Sequence, residues 1–243
     1  LKPFGSGSAP APAGRLRRRL RRPPPARPPG AGRAMGFQRG QVVSAVSNLG
    51  TAYNLVNINL AHVIMEDQYC GGDNCSHIVT AAGTACLVGA ITGQLTFGYV
   101  GDCLGRSRAL QLTQVLSIVG AVTSAFAVPL SPHDGSSVFA FIIVTRLLLG
   151  IGVGGVYPLA ATIAAESSSS TNRGRSVAVV FSMQGVGTLL VPLLGMAVIA
   201  AVGTPETRSA HSKAMQGLSW RLLLGFGALP GLCLIPYNRA APP

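Results

Sequence analysis

Six long apolar stretches separated by short polar connections set the pattern of this 243-residue chain. They run over 41–65, 78–100, 109–129, 138–165, 176–202 and 219–236. A helix that crosses a bilayer needs ~20 predominantly apolar residues, and six such stretches predict an all-α membrane protein with six transmembrane helices. The short connections agree, because backbone inside a membrane must stay hydrogen-bonded to itself.

Within the first stretch the polar positions also have a period. Ser44, Ser47, Thr51, Asn54 and Asn57 recur at spacings of three and four, which puts them on one face of a helix. Amides facing lipid are costly, so this face must look at protein or at water. Neighbouring helices can absorb such groups in hydrogen bonds. Five polar groups in one stripe favour a solvated cavity. Further along, Arg146 lies well inside the fourth stretch and requires a partner or a wet pocket. Tyr157 and Pro158 follow in a glycine-rich segment of the same stretch, and glycine- or proline-interrupted helices mark midplane binding sites. In the fifth stretch Gln184 and Thr188 stand one turn apart on one face. Tyr157 brings a hydroxyl and Gln184 two amide donors, neutral groups suited to an oxyanion with many lone pairs.

Composition supports the membrane reading. Charged residues make up 11% of the chain, hydrophobic ones 48%, and mean hydropathy is +0.44. Soluble domains carry about 25% charged residues. The net charge of +12 is local: 10 of the 19 basic residues, and no acid, lie in residues 1–40. That Arg- and Pro-rich segment has no apolar period and reads as a disordered, solvated tail. A nucleic-acid arm, a transit peptide and an anionic-lipid clamp are its functional alternatives. The six-helix unit then spans 41–237, with 238–243 as a short C-terminal tail.

The basic residues also orient the chain. With the N-terminus in the cytoplasm, Arg106, Arg108, Arg173, Arg175 and Arg239 fall inside, against Arg208, Lys213 and Arg221 outside. The positive-inside rule prefers this arrangement, with both ends cytoplasmic.

Other motifs change the picture little. Cys70 and Cys75 bracket a polar loop and are either a small disulfide or free thiols; Cys86 and Cys233 sit in apolar runs as packing residues. Asn74-Cys75-Ser76 is a formal glycosylation sequon in a short loop. The pattern Gly150-x-Gly152-x-x-Gly155 fits a dinucleotide fingerprint only between a strand and a helix. Here it lies inside an apolar helix, and Gly150/Gly154 with Gly89/Gly93 read as small-residue packing pairs. The four histidines are scattered, with no metal-ligand spacing and no catalytic triad, so neither an enzyme nor a cofactor is expected.

Gly98-Tyr-Val-Gly101-Asp102-Cys103-Leu-Gly105-Arg106-Ser-Arg108 resembles the loop motif between helices 2 and 3 of the major facilitator superfamily, with Cys103 where a basic residue is usual. Arg146-Leu-Leu-Leu-Gly150 is similar to the family's fourth-helix motif, and Trp220-Arg221-Leu-Leu-Leu-Gly225 with Pro230 to its sixth-helix start. The resemblance implies the N-terminal six-helix half of a twelve-helix fold, with Gly98, Asp102, Gly105, Arg106, Arg146 and Glu166 in gating or structural motifs. Gly154-Gly-Val-Tyr157-Pro-Leu-Ala-Ala-Thr-Ile-Ala-Ala-Glu166 and Val180-Phe-Ser-Met-Gln184-Gly resemble signatures of the phosphate:proton symporters. By that resemblance Tyr157 and Gln184 bind inorganic phosphate, with Thr51 and Asn54 beside them. Val156, Thr51 and Asn54 stand where the branch usually has acids, which leaves H+ or Na+ open as the coupling ion.

The implied function is phosphate uptake by alternating access in a multi-pass protein of the plasma membrane. Its partners are phosphate, the coupling ion, the lipid bilayer, and a missing C-terminal half or a second copy; no nucleic acid is implied. A sugar or organic-ion transporter of the same superfamily, and a non-transporting membrane fragment or sensor, are the alternatives.

Overall fold

The apolar stretches form helices because lipid leaves the backbone no other way to satisfy its polar groups. In a computed structural model the described residues are 31–69, 76–127, 135–202 and 210–239, and they are almost wholly helical, with no strand among them. Seven helices follow in order: α1 (Ala31–Tyr69), α2 (Ser76–Leu104), α3 (Arg106–Ala125), α4 (Gly135–Glu166), α5 (Arg173–Val202), α6 (Ala210–Phe226) and α7 (Leu229–Arg239). The Cys70–Cys75 pair and Asn74 lie outside the described residues.

The boundaries depart from expectation in three places, the least of them at α3, which ends at Ala125 with Phe126 and Ala127 outside the helix. Helix α1 begins at Ala31, so the last ten residues of the segment read as a tail are helical. No proline follows Pro29 in that stretch, and nothing sterically halts the helix. The sixth stretch is not one continuous helix but two, broken at Gly227-Ala228. Gly227 N–H donates to Leu224 O (3.2 Å) and Ala228 N–H to Gly225 O (3.0 Å), so the last turn tightens to i→i+3 bonds. Pro230 then offers no N–H to the carbonyl of Phe226.

Four segments are long and apolar enough to cross a membrane: Thr80–Leu104, Ser137–Glu166, Arg173–Ala201 and Gly217–Tyr237. The other two expected spans, α1 and α3, are long enough but more polar. Their polar side chains include Ser44, Asn48, Asn54, Asn57, Thr113, Gln114 and Ser124, all buried in protein rather than facing lipid. Hydropathy therefore understates them, because it assumes that every side chain meets the solvent.

A glycine seam fixes α2 on α4. A methyl placed on Gly89 or Gly93 would strike the carbonyls of Leu147 and Ile151, and one on Gly150 or Gly154 those of Cys86 and Ala90. Only backbone without side chains approaches that closely, as the small-residue pairs predict. Helix α4 is central: Leu149 and Val153 pack with Cys86 and Ala121, and Val156, Leu159 and Ala160 with Phe97 and Leu110. Cys86 is buried as expected, whereas Cys233 is exposed on α7 and does not pack. Exposed Leu95 on α2 and Leu189, Leu193 and Met196 on α5 turn outward, which suits lipid or a protein neighbour.

Candidate functional site

The α1 polar stripe faces protein, not a solvated cavity. Ser44, Ser47, Asn48, Thr51, Asn54 and Asn57 are all buried, and most of their bonds go to other helices. Gln114 Nε2 on α3 donates to Ser47 Oγ (2.6 Å), and Asn48 Nδ2 to Val180 O on α5 (3.2 Å). Further bonds go to the break between α6 and α7. Because Gly227 N–H bonds Leu224 O, Leu223 O lacks its i+4 donor. Tyr53 Oη (2.9 Å) and Asn57 Nδ2 (3.3 Å) supply it instead, and Asn54 Nδ2 donates to Gly227 O (2.9 Å). The stripe thus satisfies carbonyls that a broken helix would otherwise leave orphaned in an apolar interior.

The same stripe holds Arg146. This guanidinium is fully buried, and its Nη1 donates to Asn54 O (3.2 Å) and Asn57 Oδ1 (3.1 Å). Among the described residues it is the only fully buried charged side chain. Its two partners are neutral oxygens, and its Nε and Nη2 have no hydrogen-bond partner among the described residues. Arg146 is a cation built into the bundle's centre, apart from the turn where the other residues expected in gating or structural motifs meet.

Those residues gather at one end. Gly105, between α2 and α3, has φ 87°, a left-handed conformation that glycine adopts without a Cβ penalty. Arg106, the first residue of α3, pairs with Glu166 at the end of α4 and lies 3.8 Å from Asp102. Gly98 has open space where a side chain would stand, whereas a Cβ on Gly101 would press on Leu159. Nearby, Gln41 Nε2 donates to Ser168 Oγ (3.2 Å) and Ser176 Oγ (2.7 Å), tying α1 to the α4–α5 connection. Exposed ion pairs add little stability, so the effect of this cluster is to fix how the helix ends meet.

The four residues expected to bind substrate separate into two pairs. Thr51 and Asn54 line a cavity of about 20 Å³ with Ser47, Gln114, Val156 and Gly227. That is room for about one water molecule and excludes an oxyanion such as phosphate. Tyr157 and Gln184 instead line one open hollow of about 780 Å³, within the size range of small-molecule sites. Its other walls are Leu55, Leu87, Ala90, Ile91, Gln94, Pro158 and Phe181. The polar side chains of the hollow are three, Gln94, Tyr157 and Gln184, and none is charged. Among the described residues no hydrogen bond engages any of the three side chains. Tyr157 and Phe181 stack with ring centroids 6.4 Å apart and planes 20° from parallel, which steadies the phenol. The wall is one residue from the buried cation, since Arg146 bonds the carbonyl of Asn54 and Leu55 comes next.

Gln94 was not singled out in the sequence. The signal was present as an amide within an apolar helix, directly after the seam glycine Gly93.

Seven helices, four membrane-length apolar segments among them, a buried cation and a mostly apolar hollow define a helical bundle of the membrane-protein class. The family model described as Major Facilitator Superfamily matches residues 43–240. The chain belongs to that superfamily. It is similar to low affinity inorganic phosphate transporter 4 of Petunia hybrida, 39% identical over 165 residues, covering 64% of this chain and 30% of the relative. It is also similar to inorganic phosphate transporter 1-1 of Arabidopsis thaliana, 36% identical over 161 residues, covering 63% and 30%. Among solved structures, the partially occluded inward-open xylose transporter XylE of E. coli superposes with a TM-score of 0.73 at 20% identity, covering 86% of this chain and 49% of that one. The likeness to XylE is one of fold. The chain spans 30% of the length of the two plant relatives and about half of XylE.

Proposed function

We propose that the chain carries the phosphate-binding wall of an inorganic phosphate transporter that works by alternating access. The observation that carries this reading is the meeting of Tyr157 and Gln184 in one hollow with unengaged donors. The plant phosphate transporters to which the chain is similar support the substrate. Neutral donors bind an oxyanion without adding a second buried charge, and Arg146 behind the wall biases the site towards anions. Thr51 and Asn54 leave the ligand set and act in the helix-break network instead.

Coupling follows from the same residues. Val156 is buried in the core, and neither it nor Thr51 or Asn54 carries a carboxyl group, so a coupling proton has no side chain to ride there. Sodium coupling or exchange fits these positions. The chain sits in the plasma membrane with both ends in the cytoplasm, and the Arg106–Glu166 cluster faces inward. A membrane-impermeant maleimide then misses Cys103, kept as the sole cysteine, in intact cells and labels it after permeabilisation. Labelling of intact cells overturns the orientation.

The deciding experiment is binding of labelled phosphate to the full chain in lipid vesicles. Phosphate competes, Gln184→Leu weakens binding, and sugars do not compete. The stacked Tyr157–Phe181 pair favours a sugar as the second reading, since aromatic faces also pack on sugar rings. Displacement of a labelled hexose or pentose, with no phosphate binding, would select it.

A further inference from the structure

The glycine seam ends at the hollow. Gly93 lies against the backbone of Ile151 and Gly155 on α4, two residues before Tyr157. Gln94 is the next residue on α2, and its side chain is exposed into the hollow with no hydrogen-bond partner among the described residues. A side chain on a helix whose backbone is locked to its neighbour is held more closely than one on a loose element. Helix α5, which carries Gln184, is the least buried of the four apolar spans. The seam therefore does two things: it joins α2 to α4, and it sets an amide in the wall of the hollow that Tyr157 also lines.

The chemistry of that amide differs from that of a cation. Lys and Arg only donate, whereas a carboxamide offers two N–H donors and a carbonyl acceptor. A ligand satisfies both only if it carries acceptors and a proton of its own. Phosphate near neutral pH keeps at least one P–OH, and sulfate has none. A site built to bond a ligand hydroxyl rejects the analogue lacking it, because the acceptor is then left unpaired.

We propose that Gln94 is a third phosphate-binding residue of the hollow and that its carbonyl accepts a hydrogen bond from a P–OH group, so that it separates phosphate from sulfate. The proposal rests on the phosphate reading above. Three polar side chains on an otherwise apolar, uncharged wall are few enough for each to carry part of the selectivity.

The test uses the full chain in lipid vesicles, with labelled phosphate displaced by unlabelled phosphate or by sulfate. Gln94 is exposed in the hollow, so its replacement leaves no buried group unpaired and the fold is retained. Gln94→Leu lowers phosphate affinity about tenfold, the effect of losing one hydrogen bond of ordinary strength to a charged ligand. Sulfate competition does not weaken, because the acceptor it left unpaired is gone, so the preference for phosphate falls by at least the same factor. Gln94→Met, which keeps the side-chain length, repeats the loss. If Gln184→Leu weakens binding and Gln94→Leu does not, Gln94 is no ligand and the phosphate site stands. Equal losses for phosphate and sulfate overturn the role in selectivity. No phosphate binding by the unaltered chain overturns this inference together with the reading beneath it.

Discussion

Two regions of the bundle contain clustered amides and hydroxyls, and they are used in opposite ways. The α1 stripe is dense: six buried polar side chains, Ser44, Ser47, Asn48, Thr51, Asn54 and Asn57. Part of its capacity is used within the protein, on Arg146, on Gln114 and on the carbonyls freed at Gly227, while Ser44 Oγ, Asn48 Oδ1 and Asn54 Oδ1 have no partner among the described residues and face no space of ligand size. The hollow between α1, α2, α4 and α5 is sparse, with Gln94, Tyr157 and Gln184 among apolar neighbours, and their side chains are unengaged among the described residues. Density of polar residues thus marks where the bundle must repair a broken helix. Unspent hydrogen-bonding capacity beside a space of ligand size marks where something else can bind.

The contrast is broken most directly at Asn57. Asn57→Leu removes an acceptor from Arg146 and a donor from Leu223 O at once. Leaving a buried charge short of a partner costs about 3 kcal/mol or more, so the variant unfolds at clearly lower denaturant or temperature in detergent. Unchanged stability would mean that the stripe is not structural.

Gln184→Leu has the complementary signature. Stability holds, since the amide bonds nothing among the described residues, while phosphate affinity falls roughly tenfold to a hundredfold, corresponding to about 1.5–3 kcal/mol. Isotherms with labelled phosphate read the change, and an unaltered affinity removes the main support for phosphate.

Tyr157→Phe deletes one hydroxyl and keeps the ring stacked on Phe181. A loss of about 0.5–1.5 kcal/mol in binding is expected, smaller than for Gln184→Leu, with the melting temperature unmoved. The smallest effect sharpens the comparison: Thr51→Val leaves phosphate affinity within twofold, roughly 0.4 kcal/mol, because Thr51 faces a space that holds no oxyanion. A large loss of affinity there would join the two regions into one site.

The sequence by itself determined the helical membrane class and five of the six apolar segments as single helices. Lipid permits few backbone solutions, and length with composition selects among them. It also determined the glycine seam, since Gly89/Gly93 and Gly150/Gly154 have the spacing that close helix approach requires. Helical spacing placed Ser47, Thr51 and Asn54 on one face, yet spacing cannot say what a face meets. Only the tertiary structure decided that, because the carbonyls that Tyr53, Asn54 and Asn57 satisfy are freed only where Gly227, Ala228 and Pro230 interrupt a segment more than 160 residues downstream. It likewise put Gln94 beside Tyr157 and Gln184 and took Thr51 and Asn54 away from them. A binding site is a meeting of distant residues in space, and local pattern carries no distance between helices.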